Sequence, residues 1–297
     1  RARRLDAEVA TPMATRRLVT IAVRGLGTEW GSWVEPLAEF EGRVRTVAVS
    51  DAVAARRDVV ARRAGAFSAP GLAALVSIVG LDGVLVCEAG LAGLAAAVSL
   101  GGRVPAVLLA RPPLDIAAVA GGPDMISAAN GRVHVAFRAR YEPSIQRLME
   151  LIASRLGRPT GVSVRIDESP DPQGVVSNLV EAVDVVAYLA GTPEPGGWSC
   201  HGPVVTWSRD PDKPVEAAQG AAVTLICERG VVSVRSARLL RWQEGDRTVD
   251  ESLEADRDSR TVILDLFLRR AAGGLVPLPT FDDWAKAAVL ASRLNDA

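Results

Sequence analysis

The chain has 297 residues, 48% of them apolar, and a net charge of −1. That length suggests two domains or one large one, and the apolar share is ample for a core and argues against disorder. The near-zero charge excludes the broad basic surface that nucleic-acid binding requires. No apolar run reaches the roughly 18 residues of a membrane span, so no membrane partner is expected either.

Residue usage restricts the chemistry further. Lysine occurs only at 213 and 286, and histidine only at 134 and 201. The cysteines, Cys87, Cys200 and Cys227, are odd in number and widely spaced, which fits a reducing cytoplasm and neither a disulfide framework nor a metal site. No carboxylate–histidine cluster has metal-ligand spacing. Residues 1–16 are charged, lack the apolar stretch of a secretory signal and are expected to form a flexible arm.

From residue 18 the chain alternates buried strands with helices. LVTIAVRG (18–25) is a continuous apolar run ending in glycine, as in strands covered on both faces. A helix is expected over about 32–40, then the strand VRTVAVS (44–50) ending at Asp51, then the arginine-faced helix AVAARRDVVARRAG. DGVLVCEAG (82–90) is the next strand and leads into an Ala/Leu helix to about 100. PAVLLARPP carries a strand over 106–110 that stops at Arg111-Pro112-Pro113 and re-enters a helix. VHVAF (133–137) follows. This order predicts a doubly wound parallel sheet of the Rossmann type over residues 17–137.

The rhythm changes over residues 138–297. RYEPSIQRLMELIASRLG reads as a longer amphipathic helix, GVSVRID as a half-exposed strand, and VVSNLVEAVDVVAYLAG as a helix ended by Gly191. VVTW, AAVTLICE, VVSVRSA and RLLRW read as successive antiparallel strands between 204 and 242. Two helices, about 257–272 and 281–294, close the chain and are placed against one face of the second sheet or back on the first domain. The fold class expected is therefore α/β: an N-terminal Rossmann domain followed by an α+β domain with a mostly antiparallel sheet. The Pro/Gly-rich stretch 192–202 reads as a loop at the rim. Val205, Trp207, Val223, Leu225, Val232 and Val234 alternate along these strands. Half of them are expected to be wet in a monomer and covered by a second copy.

A dinucleotide-binding turn needs glycines between the first strand and first helix, where backbone meets pyrophosphate. Gly25, Gly27, Thr28, Glu29 and Trp30 occupy that place in VRGLGTEWG, with the third glycine one residue late. The same pattern also suits a plain tight turn. Glu29 adds negative charge where a pyrophosphate would sit. Asp51 is placed to accept from ribose hydroxyls or to cap a helix, which favours NAD slightly over NADP; Arg56 and Arg57 blunt that preference. Cys87 and Glu88 end the strand that would face the cofactor.

Three passages carry a family resemblance: FRARYEPSIQRLMELI, VDVVAYLAG, and RTVILDLFLRRAAGGLVPLP with FDDWAKAAVLASRL. Together with the order of elements they resemble the Gfo/Idh/MocA family, which includes glucose-fructose oxidoreductase and inositol dehydrogenase, over about residues 18–295. The resemblance implies an NAD(P)-dependent oxidoreductase that acts on a sugar, polyol or related small hydroxyl or keto compound and assembles through its C-terminal sheet. It also implies a catalytic Glu-Lys-Pro lysine, an Asp-x-x-x-His-x-x-Asp helix and a Thr-Pro-x-x-x-His-type loop. This chain has Arg111 in the lysine's place, Ser177 and Glu181 before Asp184 in the helix, and EAGLAGL with Glu88 in the loop.

Arginine supplies charge and hydrogen bonds but shuttles no proton, because its pKa stays above ~12. Glu181 is the candidate acid/base if burial raises its pKa, and otherwise a solvated helix carboxylate. Two readings stay open: a divergent dehydrogenase that uses Arg111, Ser177, Glu181 and Asp184, or an inactive relative serving as a binding or scaffold subunit. His134 reads as structural, and the adjacent Cys200-His201 as a loop pair.

Overall fold

The computed structural model describes residues 18–113, 131–166, 172–191, 197–213 and 215–295. The expected N-terminal arm, the helix expected after Pro113 and residues 192–196 of the expected rim loop lie outside the described residues.

The first half is built on a parallel sheet of β1 (Val19–Arg24), β2 (Val44–Ser50), β3 (Phe67–Ala69), β4 (Gly83–Val86), β5 (Ala106–Leu109) and β6 (Val133–Val135), in the order β3-β2-β1-β4-β5-β6. β4, β5 and β6 are buried at every position, which is why they read as unbroken apolar runs. The helices between them are α1 (Thr28–Ala38), α2 (Ala54–Ala64), α3 (Leu72–Val76) and α4 (Gly90–Gly101). Strand order reverses between β1 and β4. In open parallel sheets ligands bind outside the carboxyl ends of strands at such a reversal. α1 starts earlier than expected, directly behind Gly27.

The exit from β6 is more broken than its amphipathic pattern suggests. A 3₁₀ turn (Arg138–Tyr141), α5 (Pro143–Leu151) and a π-helical turn (Ile152–Leu156) replace one long helix. Then come β7 (Pro159–Arg165), α6 (Pro172–Ala190), β8 (Trp198–His201), β9 (Val204–Ser208), β10 (Val223–Cys227), β11 (Gly230–Ser236), β12 (Leu239–Glu244) and β13 (Arg247–Ser252). The second sheet runs β13-β12-β11-β10-β7-β9-β8, with every neighbouring pair antiparallel. The stretch expected to be a loop to residue 202 thus contributes an edge strand, β8, from Trp198. Two helices, α7 (Ser259–Ala271) and α8 (Phe281–Asn295), end the chain.

α7 packs back on the first sheet. Gly83 in β4 is bare where the Phe267 ring lies, and a Cβ there would stand 2.7 Å from that ring. The Arg43–Asp265 ion pair (2.9 Å) and the hydrogen bond from Thr261 Oγ1 to Glu39 (2.8 Å) fasten the same helix. α8 packs against α6 and β6.

The expectation of a half-wet apolar sheet face is corrected. Val205, Trp207, Val223, Leu225, Val232 and Val234 are all buried on one side and belong to a single core with α6 and α8. Residues two apart share a face, so the alternation marked the helix-covered side in full. Among the described residues no helix is long and apolar enough to cross a membrane. Leu225→Ala is expected to cost about 2–5 kcal/mol, the usual range for a buried Leu truncation, where a surface site would change by at most about 0.5 kcal/mol. Urea unfolding of the two proteins checks this.

Candidate functional site

The turn after β1 is shaped by close approach. Gly25 has φ +80°, and a Cβ on it would lie 2.5 Å from the backbone nitrogen of Glu88. Gly27 caps α1 without any side-chain hydrogen bond, and a Cβ there would meet nothing within 4 Å. The first-turn N–H groups therefore face open space, the arrangement that receives a phosphate. Thr28 is exposed beside them. Glu29 folds back along α1, its Oε1 accepting from Ser32 Oγ (3.2 Å) and Trp33 Nε1 (3.3 Å). Trp30, half-buried, packs on the core beneath α1. Neither side chain fills the space in front of Gly27. A pyrophosphate fits this cradle on geometry, with Glu29 as an opposing charge.

Asp51 is turned inward, contrary to the ribose-facing role considered from sequence. Its oxygens accept from Leu26 N (2.6 Å), Val53 N (2.7 Å) and Arg56 Nη2 (2.8 Å), and its side chain is 4% exposed. Burial works against its ionisation, but Arg56 and the two amides outweigh burial and hold the carboxyl below its usual range. Asp51 thus pins the glycine turn to the end of β2. Of the two arginines there, the Arg56 side chain is 44% exposed, while Arg57 is tucked in, hydrogen-bonded to Ser68 Oγ (2.8 Å) and paired with the exposed Asp58 (3.4 Å). Across the strand-order reversal, Arg24 on β1 pairs with Glu88 behind β4 at 2.8 Å. Cys87 is buried, and burial together with Glu29 pushes its thiol pKa up, which makes it inert.

The second half of the site lies where β5 and β6 end. β5 and β6 are parallel neighbours (Val107↔Val133, Leu109↔Val135); Arg111 follows the end of β5 and Arg138 opens the 3₁₀ turn after β6, each half-buried. α6 presents Ser177, buried, and Glu181, half-buried, one turn apart. Glu181 lines a cavity of about 160 Å³ between α6, α5, β7 and β10, with Arg165, Asn178 and Ile145. Burial raises its pKa to about 7; Arg138 and, less strongly, Arg111 oppose the rise, while Asp184 and Glu142 support it. The structure therefore brings Arg111 into Glu181's electrostatic neighbourhood, while Glu88 is engaged with Arg24.

Asp184 acts on Glu181 only through its charge, and its own hydrogen bonds lie elsewhere. It accepts from Arg140 Nε (2.6 Å) and Nη2, and the guanidinium lies over the rings of Phe137 (5.4 Å) and Tyr188 (5.1 Å). Burial lifts its carboxyl pKa to about 6 against the pull of Arg140. Asp184 faces a separate cavity of about 470 Å³ with Tyr188, Trp198 and Lys286. Tyr141 donates its hydroxyl to Pro277 O (2.9 Å), a packing role. His134 is buried and kept neutral, its pKa lowered to about 4 by burial and Arg270. Cys200 donates its thiol weakly to Gly202 O (3.7 Å), and His201 beside it is exposed. Among the described residues no group of three His, Cys, Asp or Glu could hold a metal ion. Arg138 and Arg165 were missed from sequence. The available signal for Arg138 was its place just past the carboxyl end of a buried strand.

No family model matches the chain, and no curated protein matches it in sequence. Solved structures do match it in shape. A levoglucosan dehydrogenase in complex with NADH and levoglucosan superposes with a TM-score of 0.70 at 14% identity, covering 94% of this chain and 96% of that one. A Gfo/Idh/MocA family oxidoreductase from Vibrio cholerae gives 0.67 at 15%, covering 93% and 95%. The chain has the two-domain fold of the Gfo/Idh/MocA oxidoreductases. The transcriptional regulator Gal80p from Kluyveromyces lactis shares this fold too, with a TM-score of 0.71 at 12% identity over 96% of this chain and 93% of that one.

The raised pKa of Glu181 makes stability pH-dependent. Its neutral form is favoured in the folded state, so its contribution is full below about 4.5 and declines as pH rises through about 7. Glu181→Gln is expected to flatten that part of the profile and to exceed the wild type in relative stability above pH 7. Urea midpoints from pH 4 to 8 with equal slopes for both proteins would place Glu181 in solvent.

Proposed function

We propose that the protein is a nicotinamide-dependent oxidoreductase acting on a small hydroxyl or keto compound of the sugar or polyol kind. The observation that carries the reading is Glu181, on the wall of its cavity, with its pKa raised to about 7 and the charges of Arg138 and Arg111 acting on it. A general base near neutrality is what alcohol oxidation requires. The fold shared with a dehydrogenase that binds NADH and levoglucosan supports the choice of cofactor and substrate class.

Gly25 and Gly27 would admit the pyrophosphate, and the first turn of α1 would donate N–H groups to it. When bound, the nicotinamide accepts or returns a hydride. In the oxidative direction Glu181 takes the hydroxyl proton as the C–H electron pair leaves, and in reduction it returns that proton to the carbonyl oxygen. Arg111 steadies negative charge on that oxygen and moves no proton. Ser177, one turn back on α6, lies beside this proton path. Asp184 serves as a positioning residue through Arg140. With Asp51 turned inward and Arg56 outward, the adenosine end suits a 2′-phosphate, so the reading moves from NAD to NADP. A second copy of the chain remains the expected partner, through the sheet face that carries Arg241 and Asp250 and lies away from the helices.

One observation favours a second reading, a non-catalytic binding role. The Arg24–Glu88 pair spans the strand reversal that a dinucleotide must cross, and Gal80p shows that a regulator can use this fold.

Fluorescence titration is expected to show tighter binding of NADPH than NADH, with Arg56→Ala reducing the difference. Absence of binding by all four nicotinamide nucleotides would leave only the second reading. With an active substrate, Glu181→Gln is expected to lower turnover by about 10²–10⁴, the usual worth of a positioned general base. An unchanged rate would remove Glu181 from the reaction.

A further inference from the structure

Several half-buried arginines of this fold are matched by carboxylates. Arg24 pairs with Glu88, Arg57 with Asp58, Arg140 with Asp184 and Arg147 with Glu251. Arg111, Arg138, Arg260 and Arg270 have no such match among the described residues, and of these Arg111 and Arg138 are the two whose charge acts on Glu181. Among the described residues neither of these two guanidiniums has a hydrogen-bonded or ion-paired partner, and Arg138 Nε is shut off from solvent with its N–H unanswered. Withdrawing a guanidinium N–H from water without an acceptor is unfavourable. Both follow the ends of the neighbouring strands β5 and β6, and both charges act on Glu181. Arg165 adds a third cation on the wall of the Glu181 cavity.

We propose that the substrate of this cleft carries an acidic group, a carboxylate or a phosphate, gripped by Arg111 and Arg138. A neutral polyol offers hydroxyl groups, which can accept from guanidiniums but leave both charges uncompensated. An oxyacid offers two or three anionic oxygens to paired planar forks, the strongest neutral-pH match for arginine. The acid group sits over the β5 and β6 ends, and the hydroxyl to be oxidised points toward Glu181. The compound class is then a sugar acid or sugar phosphate. The inference rests on the oxidoreductase reading for the role of Glu181, but the anion site stands on the two arginines alone.

The test is calorimetric titration of the full chain with D-glucose, D-gluconate, D-galacturonate and D-glucose 6-phosphate in chloride buffer. At least one acid is expected to bind about tenfold to hundredfold more tightly than glucose. A preference for the gluconate or galacturonate arm assigns a carboxylate, and a preference for the glucose 6-phosphate arm a phosphate. Arg111→Gln and Arg138→Gln are expected to abolish the preference, and Arg111→Lys to keep most of it. Circular dichroism melts confirm that each variant folds. Should the glutamine variants not fold, competition by inorganic sulfate against the bound acid in the wild type serves instead. Glucose binding as tightly as every acid, no binding by any acid, a preference that survives both glutamine variants, or sulfate that fails to displace the acid each overturns the proposal. Arginine-dependent acid binding without any nicotinamide nucleotide binding would keep this inference and reject the oxidoreductase reading. Nucleotide binding with turnover of neutral sugars only would do the reverse.

Discussion

The buried pair between Arg140 and Asp184 sets how the two halves of the cleft meet. Arg140 lies in the 3₁₀ turn that leaves β6, and Asp184 lies in the middle of α6. The ring faces of Phe137 and Tyr188 cover the guanidinium, and Tyr141 from the same turn is tied to Pro277 before α8. Desolvating two charges largely cancels their attraction, so such a pair is weak evidence for stability and is better understood as a positioning device. An α-helix turns about 100° per residue. Once Asp184 is anchored, Glu181, three residues earlier, must point about 60° away around the helix, toward the cavity shared with β7 and β10. Its distance from the ends of β5 and β6 is thereby fixed by a contact in which it takes no part.

Legibility in the sequence followed how local each signal was. Strands buried on both faces announce themselves as apolar runs, so β1, β2, β4 and β5 were readable along with the reversal they imply. Alternation over Val223, Leu225, Val232 and Val234 was equally readable, but alternation shows only that residues share a face. That α6 and α8 cover that face is a tertiary fact. β8 was hidden because its pairing with β9 supplies backbone hydrogen bonds that a Pro- and Gly-flanked WSCH segment does not advertise. The long helix expected from residue 140 onward is interrupted at Glu142 and again at Ile152, and apolar periodicity hardly registers such breaks. Within the site, Asp51 is the instructive case. Its position at the end of β2 was legible, but the direction of its carboxylate depends on the Leu26 amide 25 residues away.

In the proposed reaction, Arg111 and Glu181 in the places where the resembled family has a lysine and a histidine would put all proton traffic on one group. A lysine and a histidine can both exchange protons near neutrality, and an arginine cannot. What remains is a fixed cation and a single titrating carboxyl. With Glu181 protonated, the pair carries one positive charge, as a lysinium beside a neutral imidazole would. With Glu181 ionised, the local charge falls by one, and Arg111 and Arg138 then favour the ionised form. The two arginines are therefore coupled to the acid/base group as well as to whatever anion they bind, and an anion on them would raise Glu181's pKa further.

That coupling bears on whether the fold is catalytic or merely retained. A half-buried carboxyl whose pKa is raised to about 7 costs the folded chain stability at every pH above its unfolded pKa, and an alanine at 181 would carry no such cost. Arg138 Nε, shut off from solvent without a hydrogen-bond partner, adds a second penalty of the same kind. Neither is needed to close the core, which is apolar on both sides of α6. Unfavourable electrostatics gathered at one cleft, at the end of the sheet where ligands bind, is the physical pattern of a working site. The Arg24–Glu88 pair differs in kind: its two charges neutralise each other. The uncompensated charge therefore gathers around α6. That is why the arginine–glutamate group around α6, more than the glycine turn at β1, carries the functional reading.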